Sequence, residues 1–333
     1  MRRVLNIPDH EKRDMIDWNN ISTEITSDAL AQQSVRALDE QVRRLYPATQ
    51  NLMLISNGEL VLTRRYDSNV TLVQKKPVRS VTKSVMSSLI GIALDQGKIK
   101  STDQTLKQLL PNSAAGAAGG RLTLHQILSM TGGMRWPLGR SGDEPMHVRF
   151  MRSANWVESI VSNPVIDKNR LSFQYNTGLS HLLSAIISAN TDMNASQFAS
   201  ETLFRILNIE DYTWPEDPQQ INYGGWGLEL RCVDMAKFGM LYLEHGLFGS
   251  ERVLTPEWIK KSTQAHTPDY GYQWWLHNFN GDSAFCAKGL GGQVIAVVPD
   301  TGVVMVLTSG ISGRSRNQID LLRDYVYTLV RPA

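Results

Sequence analysis

Ser80 and Lys83 stand three residues apart in Arg79-Ser80-Val81-Thr82-Lys83-Ser84, at the mouth of an apolar stretch. On a helix that spacing places both side chains on one face, about a turn apart. A lysine amine so placed can take the proton of the serine hydroxyl, provided burial keeps the amine neutral. A helix start also offers the serine's own N–H to a developing oxyanion. The plain alternative is that Ser80 caps a helix and Lys83 lies in solvent.

Two later segments supply what such a pair would lack. Phe173-Gln174-Tyr175-Asn176-Thr177-Gly178 lies between an irregular stretch and a helix. A tyrosine there can hand a proton to a leaving group if nearby cations ease its ionisation; otherwise it is an ordinary aromatic at a helix entry. Ala287-Lys288-Gly289-Leu290-Gly291-Gly292-Gln293 reads as the end of an edge strand. Its glycines would let a substrate lie along the backbone, and one N–H could complete an oxyanion hole. The alternative there is a tight glycine turn.

The elements that must hold these residues follow from periodicity. Val35, Leu38, Val42 and Leu45 recur at threes and fours, so 31–45 is an amphipathic helix. Asn51–Ile55 and Leu60–Thr63 flank Asn57-Gly58, a hairpin signal. Ser84–Gln96 is an apolar helix stopped by Gly97, and Thr123 with Gln126 opens a capped helix ending at Gly132-Gly133. Leu179–Ser188, Ser196–Leu207 and Val233–Glu244 are further helices, with no convincing strand between Ser84 and Gly246. Strands are expected at 271–277, 283–288, 293–298 and 303–308, and a last helix at 315–330 with Ile319, Leu322, Val326 and Val330 on one face. Helix and hairpin, a helical insert, then a meander and a helix make an α+β chain. One sheet would be built from both ends, flanked by terminal helices, beside an inserted all-α lobe. The expected division is an extension over 1–27, a discontinuous α/β lobe over 28–78 and 247–333, and a mainly helical lobe over 79–246.

Composition narrows the classes. The chain has 333 residues, with 34 Lys and Arg against 32 Asp and Glu. That balance lacks the basic surface that nucleic acid requires, so no nucleic-acid partner is expected. Dinucleotide, phosphate-loop, nucleophile-elbow and HExxH signatures are missing, and the seven histidines show no ligand spacing; no metal or cofactor is expected. Cys232 and Cys286 read as small buried hydrophobes. No segment suits a membrane span and Met1–Met15 carries no apolar signal core, so the default is a cytoplasmic protein. An export signal already removed would leave the same picture.

Taken together and in this order, the S-x-x-K pair, the tyrosine motif and the glycine strand resemble the penicillin-recognising serine hydrolases. That group includes class C β-lactamases, D-alanyl-D-alanine peptidases, esterases and 6-aminohexanoate-dimer hydrolases. The resemblance spans roughly residues 48 to 330. It includes Thr131-Gly132-Gly133, Tyr223-Gly224-Gly225-Trp226-Gly227 and Gly271-Tyr272-Gln273-Trp274-Trp275, and Gly289-Leu290-Gly291-Gly292-Gln293 is most similar to the 6-aminohexanoate-dimer hydrolase branch.

The resemblance implies a single β-lactamase-like domain and an acyl-enzyme on Ser80. Lys83 would be the base, Tyr175 the proton relay, and the N–H groups of Ser80 and Leu290 the oxyanion donors. The substrate would be a small ester or amide. The alternative is a penicillin-binding D-amino-acid peptidase, or a sensor of the same fold without turnover. Two departures stand out. Thr177 supplies a hydroxyl where the β-lactamase motif Y-x-N has an amide. Lys288 is one residue out of the K-T-G register, which on a strand turns it to the other face. Met134 and Trp136 fall at the family's site rim, or else pack in the core. Lys288 and Gly289 are further candidates for contact with substrate, and Arg314, with Arg316, could hold a carboxylate or lie in solvent. Trp226, Trp274 and Trp275 are expected near the junction of the lobes.

Overall fold

The computed structural model describes residues 16–18, 20–22, 24–114, 116–137, 144–166, 172–310 and 316–331. Its backbone is one antiparallel six-stranded sheet: β1 (Thr49–Ser56), β2 (Glu59–Arg65), β3 (Trp275–Phe279), β4 (Asp282–Gly289), β5 (Gln293–Val298) and β6 (Val303–Ser309), in the order β2-β1-β6-β5-β4-β3. The N-terminal hairpin therefore pairs with the last strand of the C-terminal meander, Met53 opposite Val306. Asn57 and Gly58 both take positive φ, 52° and 83°, which matches the twist of the strands they join.

Alternation along the strands divides the core in two. Met53, Ile55, Phe285, Ala287, Ile295, Val297, Val304 and Val306 face a large helical layer. Leu52, Leu54, Cys286, Val294, Ala296, Met305 and Leu307 face the terminal helices. The chain is α+β, with the sheet between these layers. Helix α1 (Gln32–Leu45) covers the second face with Val35, Leu38 and Val42. The helical layer contains α2 (Thr82–Asp95), α3 (Leu124–Leu128), α4 (Pro145–Met151), α5 (Thr177–Thr191) and α6 (Cys232–Leu243). The capping box of Thr123 and Gln126 forms as expected.

Four elements depart from the sequence expectation. The helix expected over Ser196–Leu207 is α-helical only over Ala195–Ala199 and widens into a π turn over Ser200–Phe204. The strand expected from Gly271 begins only at Trp275, because Gln273 adopts φ 63° and turns its backbone into the helical layer. The last helix is α-helical only over α7 (Gln318–Leu321); the chain then widens into a π turn over Leu322–Val326 and tightens to a 3-10 turn over Tyr327–Leu329. A two-residue strand, Glu229–Leu230, pairs with Lys76–Pro77 inside the region read as strandless. The end of the N-terminal extension is also tied down: Thr63 N–H donates to Ile25 O, and Ser27 N–H to Val61 O, along the β2 edge.

Cys232 and Cys286 are free and buried. Burial pushes both thiols up, Cys286 to about 12. Among the described residues no helix is long and apolar enough to cross a membrane.

Helix α6 lies against β6 and β5 at Gly239, where a Cβ would stand 2.6 Å from Val304 Cγ1 and 3.0 Å from Ile295 Cγ2. At an open helix site Gly→Ala would gain about 1 kcal/mol of propensity. Here overpacking should win, and Gly239→Ala should lower stability by about 1–3 kcal/mol. A urea unfolding midpoint at or above that of the parent protein would contradict this close approach.

Candidate active site

Ser80 sits in a 3-10 turn, Arg79–Val81, that leads directly into α2. Arg79 just before it adopts φ 54°, a conformation that costs a non-glycine residue about 1–2 kcal/mol. Neighbouring contacts hold the turn. Thr82 Oγ1 donates to Arg79 O at 2.6 Å, Val78 N–H donates to Leu228 O at 2.9 Å, and the Lys76–Pro77 ribbon adds its own pairing. The end of β4 closes the other side. A Cβ on Gly289 would lie 2.3 Å from Val78 O, so only glycine permits this approach. The turn after it, through Gly291 and Gly292 at φ 87° and 98°, leaves Leu290 exposed beside the Ser80 turn.

Lys83, the second residue of α2, is only 2% exposed. Its Nζ lies 3.2 Å from Ser80 Oγ. It donates to Gly225 O at 2.6 Å and reaches Thr177 Oγ1 at 3.3 Å. The carbonyl of Gly225 can come this close because its residue has no side chain: a Cβ there would stand 2.6 Å from Thr177 Cγ2. That loop is pinned from behind by a fully buried pair. His181 Nε2 donates to Asp217 Oδ2 at 3.0 Å, while its Nδ1 accepts from Gly224 N–H. Asp217 Oδ1 also accepts the N–H groups of Gln219 and Ile221.

The Tyr175 segment is fixed on both flanks. Gln174 N–H donates to Met130 O and its amide to Trp136 O, and the Asn176 side chain caps α5 by accepting from Leu179 N–H. Asn176 therefore serves the helix, and the residue that turns toward the lysine is Thr177. The Tyr175 ring lies 5.0 Å from Lys83 Nζ, centroid to nitrogen, and stacks on Trp275 at 5.7 Å. Lys288 Nζ stands 5.0 Å from the Trp275 indole. Two lysine side chains thus contact this aromatic pair. Lys288 and Ala287 face opposite sides of β4, and burial lowers the Lys288 amine from its ordinary value.

Other candidates lie elsewhere. Met134 and Trp136 are buried, at 1% and 0% exposure, so they pack in the core and do not form an open rim. Trp274 is likewise sealed among Phe238, Tyr242 and Phe285, whereas Trp275 meets Tyr175. Arg314 lies outside the described residues.

Two participants had escaped the sequence reading. Glu144 lies just before α4, and its carboxylate accepts from Trp136 Nε1, from Thr177 N–H and from the Thr177 hydroxyl. No motif marks it, since it is more than thirty residues from Thr177 in sequence. Gln273 links three helices: its carbonyl accepts from Ser84 Oγ in α2, its Oε1 from Ser180 Oγ in α5, and its amide donates to Leu128 O of α3.

A family model described as Beta-lactamase matches residues 48–326. A 6-aminohexanoate-dimer hydrolase of Paenarthrobacter ureafaciens is 23% identical over 300 residues, covering 82% of this chain and 75% of the relative. Among solved structures, a "putative 6-aminohexanoate-dimer hydrolase" from Bacillus anthracis superposes with a TM-score of 0.75 at 19% identity, over 92% of this chain and 89% of that one. A "putative beta-lactamase" from Bacteroides dorei DSM 17855 gives 0.72 at 18%, over 90% and 98%.

His147, on α4, stacks on Phe150 and meets Trp226 edge-on. Burial, its largest influence, lowers the imidazole to about 4, and Lys83 pushes the same way against Glu144. His277 is lowered to about 4 for the same first reason. Both bind a proton less readily folded than unfolded, where a histidine titrates near ~6.5. Their stabilising contribution is therefore complete above that value and is lost as pH falls toward 4. The urea midpoint should drop between pH 7 and pH 4.5, and His147→Phe should flatten part of the drop. An unchanged slope in that variant would contradict the buried neutral imidazole.

Proposed function

The chain belongs to the Beta-lactamase family, and from that premise we propose that it is a serine hydrolase cleaving a small ester or amide through a covalent acyl-enzyme on Ser80. The observation that carries this reading is the 3.2 Å contact of Ser80 Oγ with the amine of a lysine sealed from water. A hydroxyl is a weak nucleophile until a base takes its proton, and Lys83 is the base within reach. In the acylation step the Ser80 O–H bond breaks as an N–H bond forms on Lys83 and Oγ adds to the substrate carbonyl. The N–H groups of Ser80 and Leu290 receive the oxyanion. Collapse then breaks the bond to the leaving alcohol or amine, which takes a proton through Tyr175. Water, losing a proton to Tyr175, then attacks the acyl-enzyme; the bond from the acyl carbon to Oγ breaks, Oγ takes up a proton and Ser80 is restored.

Support for a small ester or amide over a β-lactam comes from the two departures in the motif set. Thr177 presents a hydroxyl where an amide would meet a β-lactam side chain, and Lys288 lies over Trp275 on the other face of β4. A 6-aminohexanoate dimer is an amide, and the similarity to hydrolases of that compound makes linear amides the second substrate class to try.

Mass spectrometry after a fluorophosphonate probe should find the label on Ser80. Ser80→Ala should lose at least about a thousandfold in p-nitrophenyl acetate hydrolysis, and Tyr175→Phe about a hundredfold or more. Labelling at another residue, or wild-type turnover by Ser80→Ala, would overturn the assignment. An ester, amide and β-lactam panel then ranks substrates, with penicillin expected last.

A further inference from the structure

Hydrogen-bond accounting around Lys83 has a consequence for Glu144. A neutral amine has two N–H bonds and one lone pair. Lys83 Nζ has three oxygen partners: Gly225 O, Thr177 Oγ1 and Ser80 Oγ. Gly225 O can only accept. The Thr177 hydroxyl has one hydrogen, and it is donated to Glu144 Oε1, so toward Lys83 its oxygen can only accept as well. In the neutral state that the proposed base role requires of Lys83, both N–H bonds are thereby assigned, and the lone pair is left for Ser80 Oγ–H. We infer that Glu144 is a positioning residue that aims the Lys83 lone pair at Ser80 by compelling Thr177 to accept.

This rests on the reading of Ser80 as the acylated nucleophile, and it explains the departure at Thr177. An amide at that position would carry a carbonyl oxygen that can only accept, with its donors on a separate nitrogen. A hydroxyl can turn either way, and needs a carboxylate to hold it. Once Lys83 has taken the proton, the same three oxygens accept all three N–H bonds of the ammonium. Glu144 is itself held in place, since its Oε2 accepts from Trp136 Nε1 at 2.6 Å and Thr177 N–H at 2.7 Å. Burial of Trp136 thus gives that tryptophan a use other than rim contact.

Glu144→Gln separates this role from packing. A carboxamide has a single oxygen, which two N–H donors already claim. Its NH2 must then face Thr177 Oγ1, turning the hydroxyl hydrogen toward Lys83, where it competes with Ser80 for the lone pair. With p-nitrophenyl acetate, Glu144→Gln should lower the acylation rate at saturation by about ten- to a hundredfold, and KM by less than about threefold either way. Thr177→Val should lose as much, and the double variant no more than Thr177→Val alone, because one residue acts through the other. Thr177→Ser, which keeps the hydroxyl, should lose less than Thr177→Val.

Wild-type acylation by Glu144→Gln, a loss confined to KM, or losses that multiply in the double variant would each overturn the inference. If Glu144→Gln does not fold, as read by circular dichroism, the Thr177 pair decides: equal rates for Ser and Val overturn it. Fluorophosphonate labelling keeps the two readings apart. Wild-type protein unlabelled at Ser80 removes both, whereas labelled wild type with an undiminished Glu144→Gln removes only the role of Glu144.

Discussion

Burial of one lysine amine organises this molecule. Lys83 lies on the inner face of α2 at 2% exposure, and a polar group so placed is tolerable only if its hydrogen-bonding capacity is met. Each of its oxygen partners comes from a different part of the chain: the Ser80 turn, the start of α5 and the loop at Gly225. Each partner in turn depends on something behind it. Thr177 rests on Glu144, the Gly225 loop on His181 and Asp217, and the Ser80 turn on the Lys76–Pro77 ribbon and Gly289. Desolvating the amine and fixing its partners is one structural requirement, and it ties three separate segments to α2.

The sheet contributes rigidity more than chemistry. Both faces are covered with apolar layers, so β4 cannot shift without disturbing two cores, and its end at Gly289 is set against Val78 and Arg79. The positive φ of Arg79 persists because these contacts hold it, which is how strained backbone survives at a reacting centre. Aromatic stacking replaces direct polar contact on the other side: Lys288 reaches the site only through Trp275, whose ring meets Tyr175. Lys288 thereby lies beside the aromatic pair that Lys83 also meets.

Much of this was legible in advance. Helical periodicity for α1, and apolar runs bounded by turn or stop signals for β1, β2, β5, β6, α2, α5 and α6, located these elements to within a few residues, because most of them are buried on more than one face. The beginning of β3 and the end of the chain were misread for a local reason. Gln273 and the Leu322–Val326 turn obey side-chain hydrogen bonding and packing that periodicity does not encode. Trp136 was equally ambiguous, since a tryptophan after a helix end suits a rim or a core; its bond to Glu144 settles that it lies inside.

By itself the sequence determined the reacting types and their local spacing: Ser80 and Lys83 three apart, a tyrosine at a helix entry, glycines at a strand end. Local geometry is short-range, so a few residues suffice to specify it. What only the tertiary structure decided is which distant groups complete the site. Thr177 and Gly225 meet Lys83, with Glu144 behind Thr177, because three separately encoded segments fold against α2. No spacing along the chain carries that information, because it resides in contacts between residues tens of positions apart.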